Sequence, residues 1–231
     1  MGVEMVQLGR LEGKVLLEWG TTPATEKVEN QDWVGGKLIE GGGVGILCDG
    51  VGGLKKGGEG ARLVGEFLIE NLSEAPTKGE LVRLVLEAHS QLNRLNWEVG
   101  EILYATTIVG VVLTGDVFFG INVGDSRCYL LSPTSTRQLS VDDHYPELPN
   151  LLSQTIGDGS PLNLHQFEGR LEPRELLLLV SDGVYNLFPA FRGFYPLLKE
   201  RGPIGIFTQI FNRWGEFPDN ASLLTLQWNP K

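Results

Sequence analysis

Cysteine and histidine are scarce in this chain of 231 residues, and each shortage removes a class of function. The two cysteines, Cys48 and Cys128, both lie in apolar stretches. We therefore expect buried free thiols in a reducing compartment and no disulfide framework. Neither cysteine is followed six positions later by the arginine of a cysteine-phosphatase loop, since Leu54 and Thr134 occupy those positions. The three histidines show no pairing that would suggest zinc.

Long apolar runs and an excess of basic residues are also missing. No run is long enough to span a bilayer, and residues 1–4 lack the basic and apolar regions of a signal peptide, so we expect a cytoplasmic protein. The net charge of -10 disfavours nucleic acid and anionic membranes as partners. No Gly-Lys pair precedes Ser or Thr, and no Gly-x-Ser-x-Gly turn occurs, so neither a nucleotide-binding loop nor a serine-hydrolase nucleophile is indicated.

No linker, repeat or low-complexity segment divides the chain, which predicts one domain over residues 1–231. Strand-like patterns occupy seven stretches, at 15–19, 44–48, 106–113, 117–123, 127–131, 175–180 and 222–228. A tight hairpin is expected at 114–116. Apolar residues at helical spacing predict helices at 58–72, 81–95 and 204–214. Because strands come in groups and do not alternate strictly with helices, the pattern favours an α+β fold with antiparallel sheets packed together and helices outside.

Four aspartates lie at or near the ends of strand-like stretches. Asp49 and Asp182 each follow an apolar run, Asp219 precedes one, and Asp32 ends the segment Asn30-Gln31-Asp32. A carboxylate at a strand end is held by the sheet while its oxygens face the loops. If these ends converge, they form a negatively charged cavity that selects a hard divalent cation, Mg²⁺ or Mn²⁺. Paired cations of this kind hydrolyse phosphoesters.

Each acidic residue also has a simpler interpretation. Asp49 begins an Asp-Gly pair that is common in turns, and Asp182 is placed to cap a following helix. Asp219 fits a turn, and Asp32 fits a solvated loop. Asp125 lies between two strand-like stretches, so a hairpin turn would explain it without any chemistry.

Seven short sequence elements nevertheless occur in an order that indicates a shared function. They are Asn30-Gln31-Asp32, Asp49-Gly50-Val51-Gly52-Gly53, Ala105-Thr106-Thr107, the Asn-Val-Gly-Asp-Ser-Arg of 122–127, Leu139-Ser140 with Asp143-His144, the apolar run and Ser-Asp-Gly of 176–183, and Asp219-Asn220. In this order they resemble the metal-dependent Ser/Thr protein phosphatases of the type 2C family, in its bacterial form. The resemblance covers the chain from about Thr22 to its C-terminus.

The resemblance implies two antiparallel sheets packed as a sandwich with helices on both outer faces, a four-layer α-β-β-α arrangement. It also implies that Asp49 bridges two metal ions, Mg²⁺ or Mn²⁺. The Gly50 carbonyl, Asp182 and Asp219 would supply further ligands, and Asp32 would hold a metal-bound water.

Two further roles follow from the resemblance. Asp125, together with Asp182, would form a third and weaker metal site, and Lys27 falls where the family places a phosphate-binding arginine. The implied reaction is hydrolysis of phosphoserine and phosphothreonine in proteins by a water that two metals activate, with no phosphoenzyme. The implied partners are phosphorylated proteins that are targets of a Ser/Thr kinase, with neither nucleic acid nor membrane involved.

Three departures from the family pattern bear on activity. Lys27 offers a point charge where arginine would grip phosphate with two bonds, which predicts weaker substrate binding. Val51 stands where some relatives carry a histidine. Only 145–151 separate the Asp-His pair from the next family element, so the flap of relatives is almost absent and we expect an open rim. A structural hydrogen bond is expected of His144 more than catalysis.

Two alternatives stay open at this point. Lys27 and the missing flap motivate a catalytically silent interaction module that keeps the phosphatase fold, although retention of all the acidic residues counts against it. A metal-dependent phosphodiesterase or nuclease is the other, and the acidic balance of the chain disfavours it.

Overall fold

The computed structural model describes residues 5–27, 29–188 and 193–229. The strands are β1 Gln7–Glu12, β2 Val15–Thr22, β3 Asp32–Ile39, β4 Gly42–Asp49, β5 Ile108–Thr114, β6 Val117–Val123, β7 Arg127–Leu131, β8 Thr136–Gln138, β9 His144–Tyr145, β10 Leu148–Leu152, β11 His165–Arg170, β12 Leu176–Val180 and β13 Ala221–Trp228. The helices are α1 Gly57–Asn71, α2 Lys78–Val99, α3 Asp182–Tyr185, α4 Phe194–Arg201 and α5 Pro203–Trp214. In the described part of the chain, no helix has the length and apolar character needed to cross a membrane.

Two antiparallel sheets form the centre of the fold. One has six strands in the order β1-β2-β13-β12-β7-β8, the other has five in the order β11-β6-β5-β4-β3, and β9 and β10 form a separate short pair. Helices α1 and α2 cover the five-stranded sheet, while α3, α4 and α5 cover the six-stranded one. The remaining faces of the two sheets pack against each other. This arrangement confirms the predicted α+β fold with helices on both outer faces.

The central strands are buried on both faces, which explains their nearly continuous apolar sequences. In β4, Ile46 and Cys48 face the helices while Leu47 faces the other sheet. In β12, Leu178 packs toward the helices and Leu177 toward the neighbouring sheet. Successive side chains of a strand point to opposite faces, so a strand with a core on each side needs apolar residues at every position.

The strand register brings the acidic segments to one edge of the sandwich. Asp32, the first residue of β3, lies directly opposite Asp49, the last residue of β4. In the other sheet, Val180 at the end of β12 lies opposite Arg127 at the start of β7 and Leu223 near the start of β13. Because the pairs are antiparallel, the end of one strand and the beginning of its neighbour meet at the same edge.

Two turn predictions had opposite outcomes. The hairpin at 114–116 is confirmed, because Thr114 pairs with Val117 around a two-residue turn in which Gly115 has a φ of 58°. The hairpin interpretation of Asp125 is wrong. Strand β6 pairs with β5 and β11, whereas β7 pairs with β12 and β8, so the segment between them crosses from one sheet to the other. Asp125 therefore lies between the two layers and not on a peripheral turn.

Candidate metal centre

Asp49 is fixed at the end of β4 by two neighbouring threonines. Its backbone N–H donates to the Thr107 hydroxyl at 3.1 Å, and its carbonyl accepts from the Thr107 N–H and the Thr106 hydroxyl, both at 2.8 Å. The backbone is thus held from the side of β5, and the carboxylate is left to face the loops. In the sequence these threonines are only part of a motif, and their supporting role appears in the structure.

Gly50 is placed where no side chain fits. A Cβ at this position would lie 2.4 Å from the carbonyl carbon of Gly57, at the start of α1. The Gly50 N–H donates to the Gln31 carbonyl at 3.0 Å, which ties the segment before β3 to the end of β4. Glycine is therefore required because the first turn of α1 approaches the backbone directly.

Asp32 is buried, with only 8% of the residue exposed. One carboxylate oxygen, Oδ2, accepts a 2.8 Å hydrogen bond from the Ser181 hydroxyl, which joins the two sheets, and Ser181 Oγ accepts in turn from the Ser222 N–H. The other oxygen, Oδ1, has no hydrogen-bond partner among the described residues. A buried acceptor left unpaired costs roughly 1–3 kcal/mol, so this oxygen is suited to a water or a cation.

Burial and mutual repulsion act together on the acidic residues. Burial raises the pKa of Asp32 to about 6, although hydrogen bonds from Ser222 and Ser181 oppose the rise. Burial raises the pKa of Asp182 to about 7, and the charges of Asp219, Asp125 and Asp32 add to the effect. The pKa of Asp49 lies well above its usual value because of burial and the charges of Asp32, Asp182 and Asp125. Five carboxylates from separate parts of the chain therefore lie close enough to influence one another.

A cleft of about 540 Å³ opens at this edge of the sandwich. Asp49, Asp125 and Asp182 line it. Asp182 is the first residue of α3, and Ser181 occupies the capping position without a side-chain cap bond, so the prediction that Asp182 caps a helix is wrong. The segment that replaces the flap forms the short β9–β10 pair, and Tyr145 and Leu151 from this pair line the cleft.

Asp125 is held by a group of side chains that sequence analysis missed in part. The Tyr185 hydroxyl donates to Asp125 Oδ2 at 3.0 Å, and His144 Nε2 lies 3.3 Å from the same oxygen. The Arg127 guanidinium lies 3.7 Å from the centre of the Tyr185 ring and forms a two-bonded ion pair with Asp142. Burial raises the pKa of Tyr185, so its hydroxyl remains a donor. The sequence held one indication that Tyr185 lies at this site, because it follows Asp182 by three residues, within one helical turn.

Lys27 forms an ion pair with one of the predicted metal ligands. Its ammonium donates to Asp219 Oδ1 at 2.7 Å, and the two side chains are 43% and 46% exposed. Burial opposes the charge on Lys27, but the bond to Asp219 and the neighbouring carboxylates outweigh burial and raise its pKa. Lys27 thus lies at the acidic cluster, bound to a carboxylate, and its role in binding phosphate stays a prediction.

The donor set fits divalent cations, although it is not a finished coordination shell. Across 5–27, 29–188 and 193–229, no group of three or more His, Cys, Asp or Glu side chains is already arranged to hold a metal ion. The available donors are carboxylate and carbonyl oxygens, which Mg²⁺ and Mn²⁺ prefer. In the described part of the chain, Asp32 Oδ1 is a buried oxygen with no hydrogen-bond partner. At position 50, glycine avoids the clash that a side chain would make with the backbone of Gly57. Binding would require the carboxylates to turn toward a common point.

Comparison with known proteins agrees with this geometry. The family described as "Protein phosphatase 2C" matches residues 19–208. A putative protein phosphatase of Mycoplasma genitalium is 25% identical over 227 aligned positions, which cover 84% of this chain and 86% of the relative. The serine/threonine phosphatase Stp of Listeria welshimeri is 25% identical over 218 positions, covering 80% and 84% of the two chains.

Solved structures share the fold at lower identity. Serine/threonine phosphatase Stp1 of Staphylococcus aureus superposes with a TM-score of 0.81 at 21% identity, over 97% of this chain and 99% of that one. The serine/threonine phosphatase PstP/Ppp of Mycobacterium tuberculosis gives a TM-score of 0.77 at 18% identity, over 94% and 99%. With the family match spanning most of the sequence, the chain belongs to the protein phosphatase 2C family.

Proposed function

We propose that this protein is a metal-dependent hydrolase that removes phosphate from phosphoserine and phosphothreonine in proteins. The observation that carries the proposal is the gathering of five mutually interacting carboxylates at one edge of the sandwich, three of which line the cleft. Among the residues that the structure describes, a buried Asp32 oxygen there has no hydrogen-bond partner. The names of the relatives, which are serine/threonine phosphatases, support the same substrate class.

Four groups would hold two divalent cations, Mg²⁺ or Mn²⁺. They are the Asp49 carboxylate, the Gly50 carbonyl, Asp182 and Asp219. Asp125, supported by Tyr185 and close enough to Asp182 to affect its charge, would contribute to a third and weaker site. When bound, such cations lower the pKa of water and neutralise charge on the phosphate.

The protein's own residues supply orientation. Ser181 fixes Asp32 Oδ2, so that Oδ1 is directed to accept a hydrogen bond from the attacking water. Thr106 and Thr107 keep the Asp49 backbone from turning. Lys27 would leave Asp219 to bind a phosphate oxygen as a point charge, since a flexible ammonium can exchange one oxygen partner for another. Water would attack phosphorus directly, the bond between phosphorus and the serine or threonine oxygen would break, and that oxygen would leave as a hydroxyl with a proton that comes from the water. Inorganic phosphate is the other product, and no phosphoenzyme forms.

The cellular setting follows from the same proposal. Substrates would be proteins phosphorylated by a Ser/Thr kinase, in the cytoplasm. The net charge of -10 disfavours nucleic acid as an alternative substrate. We also propose that residues 1–231 form one phosphatase-like domain.

Phosphate release from a phosphothreonine peptide tests the proposal. Wild-type protein with Mn²⁺ should release phosphate, and EDTA should stop the release. Asp182→Asn should be inactive, whereas the control Asp116→Asn, in the turn between β5 and β6 away from the cleft, should retain activity. Release that persists in EDTA would refute a metal-dependent reaction.

A silent interaction module remains the second candidate, because of two observations. Lys27 is bound to Asp219, and the described carboxylates do not form a ready coordination shell. Mn²⁺ binding without turnover, by wild type and by Lys27→Arg alike, would favour the module. Turnover by wild type would dismiss it, and faster turnover by Lys27→Arg would show that the lysine limits phosphate binding.

A further inference from the structure

A second groove lies next to the acidic cleft. It has a volume of about 760 Å³ and lies at the C-terminal end of α2; its lining includes Asn93, Trp97, Gly100, Ile102, Gly157 and Asp158. Ile102 and Asp158 line both this groove and the cleft, so the two depressions are adjacent. Asp158 accepts the N–H groups of Thr155 and Ser160, both at 2.8 Å, which stiffens the wall between them.

The groove is held in shape by bonds between α2 and the loop at 155–160. The Gly157 N–H donates to His89 Nδ1 at 3.1 Å, and the Gly159 N–H donates to Asn93 Oδ1 at 2.9 Å. Asn96 Nδ2 donates to the Gly157 carbonyl at 2.8 Å. Three successive turns of one helix therefore fix the loop. A site that is formed before its ligand arrives loses little conformational entropy on binding.

Large apolar side chains are exposed at this groove. Trp97, in the last turn of α2, is 87% exposed, and Ile102 is 48% exposed. Tryptophan is the residue type most enriched at the energetic centres of protein interfaces. An exposed indole beside a preformed groove is therefore suited to burying an apolar group of a partner.

We propose that this groove, the α2 groove, binds a large apolar side chain of the phosphoprotein substrate, close in sequence to the phosphorylated residue. The inference rests on the proposed function and specifies its substrate class. Because the groove and the cleft share two lining residues, one extended peptide that advances about 3.3 Å per residue can place neighbouring residues in both. Glu101, Asp158 and Arg94 line the groove, so acidic side chains outnumber basic ones there, and this balance disfavours nucleic acid and anionic lipid as occupants.

A leucine scan tests the α2 groove. A phosphothreonine peptide with alanine at the flanking positions is compared with variants carrying one leucine at each position in turn. Wild-type protein should show kcat/KM raised about tenfold at one or two positions, because a tenfold change corresponds to about 1.4 kcal/mol and burial of a leucine side chain supplies at least this much. Trp97→Ala should lose this preference. Hydrolysis of p-nitrophenyl phosphate, which is too small to reach the groove, should be unchanged.

The matched control is Leu86→Ala. Leu86 is also exposed on α2, at 42%, but lies eleven positions earlier, which is about 16 Å along the helix. This variant should keep the leucine preference. An equal preference in Trp97→Ala, or no preference at any position in wild type, would overturn the inference. So would a wild-type dimer that becomes a monomer in Trp97→Ala, since the groove would then join two copies of this chain.

Binding of the same labelled peptides in EDTA separates this inference from the proposed function. One outcome is that the protein hydrolyses neither the peptides nor p-nitrophenyl phosphate, yet binds the leucine peptide more tightly in a way that depends on Trp97. This result would support the α2 groove and contradict only the catalytic proposal. Hydrolysis of p-nitrophenyl phosphate without any peptide preference would do the reverse.

Discussion

Replacing Asp182 by asparagine should stabilise the metal-free protein while removing its response to metal. Burial, together with the charges of Asp219, Asp125 and Asp32, raises the pKa of Asp182 from 3.8 to about 7. In the unfolded chain this carboxyl ionises near its usual value. Between these two pKa values the unfolded state releases its proton before the native state does, so the native state loses stability as pH rises from about 4 to about 7.

The size of the effect follows from the shift. One pKa unit corresponds to 1.36 kcal/mol, so the Asp182 charge lowers the free energy of unfolding by up to about 4 kcal/mol at about pH 7.5, and by about 2 kcal/mol at about pH 5. Asparagine keeps the shape and an oxygen acceptor but carries no charge. In EDTA, Asp182→Asn should therefore be more stable than wild type, by an amount that increases with pH over this range.

Urea unfolding in EDTA at the two pH values measures the difference, and the same titration with Mn²⁺ measures the metal response. Wild type should gain stability from Mn²⁺ by mass action, and Asp182→Asn should gain much less. Asp116→Asn is the control. Asp116 forms an ion pair with Arg170 at 2.8 Å on an exposed turn, so its replacement should change stability by at most about 1 kcal/mol and leave the metal response intact. A metal-free Asp182→Asn that is less stable than wild type at about pH 7.5 would refute the reasoning.

Three further substitutions test the supporting structure. Gly50→Ala places a methyl group 2.4 Å from the Gly57 carbonyl carbon, so it should lower the free energy of unfolding by about 1–3 kcal/mol and weaken Mn²⁺ binding measured by calorimetry. Unchanged Mn²⁺ binding would argue against the Gly50 carbonyl as a metal ligand. Asn96→Ala removes a buried side chain with four hydrogen bonds, so it should reduce the free energy of unfolding in urea by about 2–4 kcal/mol. A loss below about 1 kcal/mol would contradict this structural role of Asn96. Tyr185→Phe keeps the ring but removes the hydroxyl that donates to Asp125, so it should raise the Mn²⁺ concentration needed for phosphate release and change stability by about 1 kcal/mol. An unchanged Mn²⁺ requirement would show that Tyr185 does not position Asp125.

The central strands were predictable from sequence, and the edge strands were not. The predicted stretches 117–123 and 127–131 coincide with β6 and β7, because apolar runs bounded by turn residues identify strands that are buried on both faces. Strand β11 alternates between half-buried and exposed positions in six residues, which gives little hydrophobic signal. Strand β3 was missed for another reason. Gly35 and Gly36 lower its strand propensity, and at Gly36 the space for a side chain is taken by Leu17 from the other sheet.

The site shows a similar division. The positions of Asp49 and Asp182 beside strands were visible in the sequence, but each had an equally simple local interpretation, and only the order of motifs favoured a shared site. Ser181 and Asp32 are 149 residues apart in sequence, so nothing local predicts the bond between them. The roles assigned to the acidic residues, the cytoplasmic location and the single domain over 1–231 stay predictions.

The way in which the acidic residues are held favours a metal site over an interaction module that binds no metal. Hydrogen bonds from two threonines hold the backbone of Asp49, and a serine from the opposite sheet holds Asp32. These carboxylates are therefore kept together against their repulsion. Burial and repulsion raise the pKa values of Asp32, Asp49 and Asp182, which means that at neutral pH the arrangement opposes folding. A module that binds no metal would be more stable with an amide at any of these positions. A cation reverses the sign of the interaction, because the carboxylates that repel one another all attract it. The arrangement is therefore favourable only in a protein that binds metal.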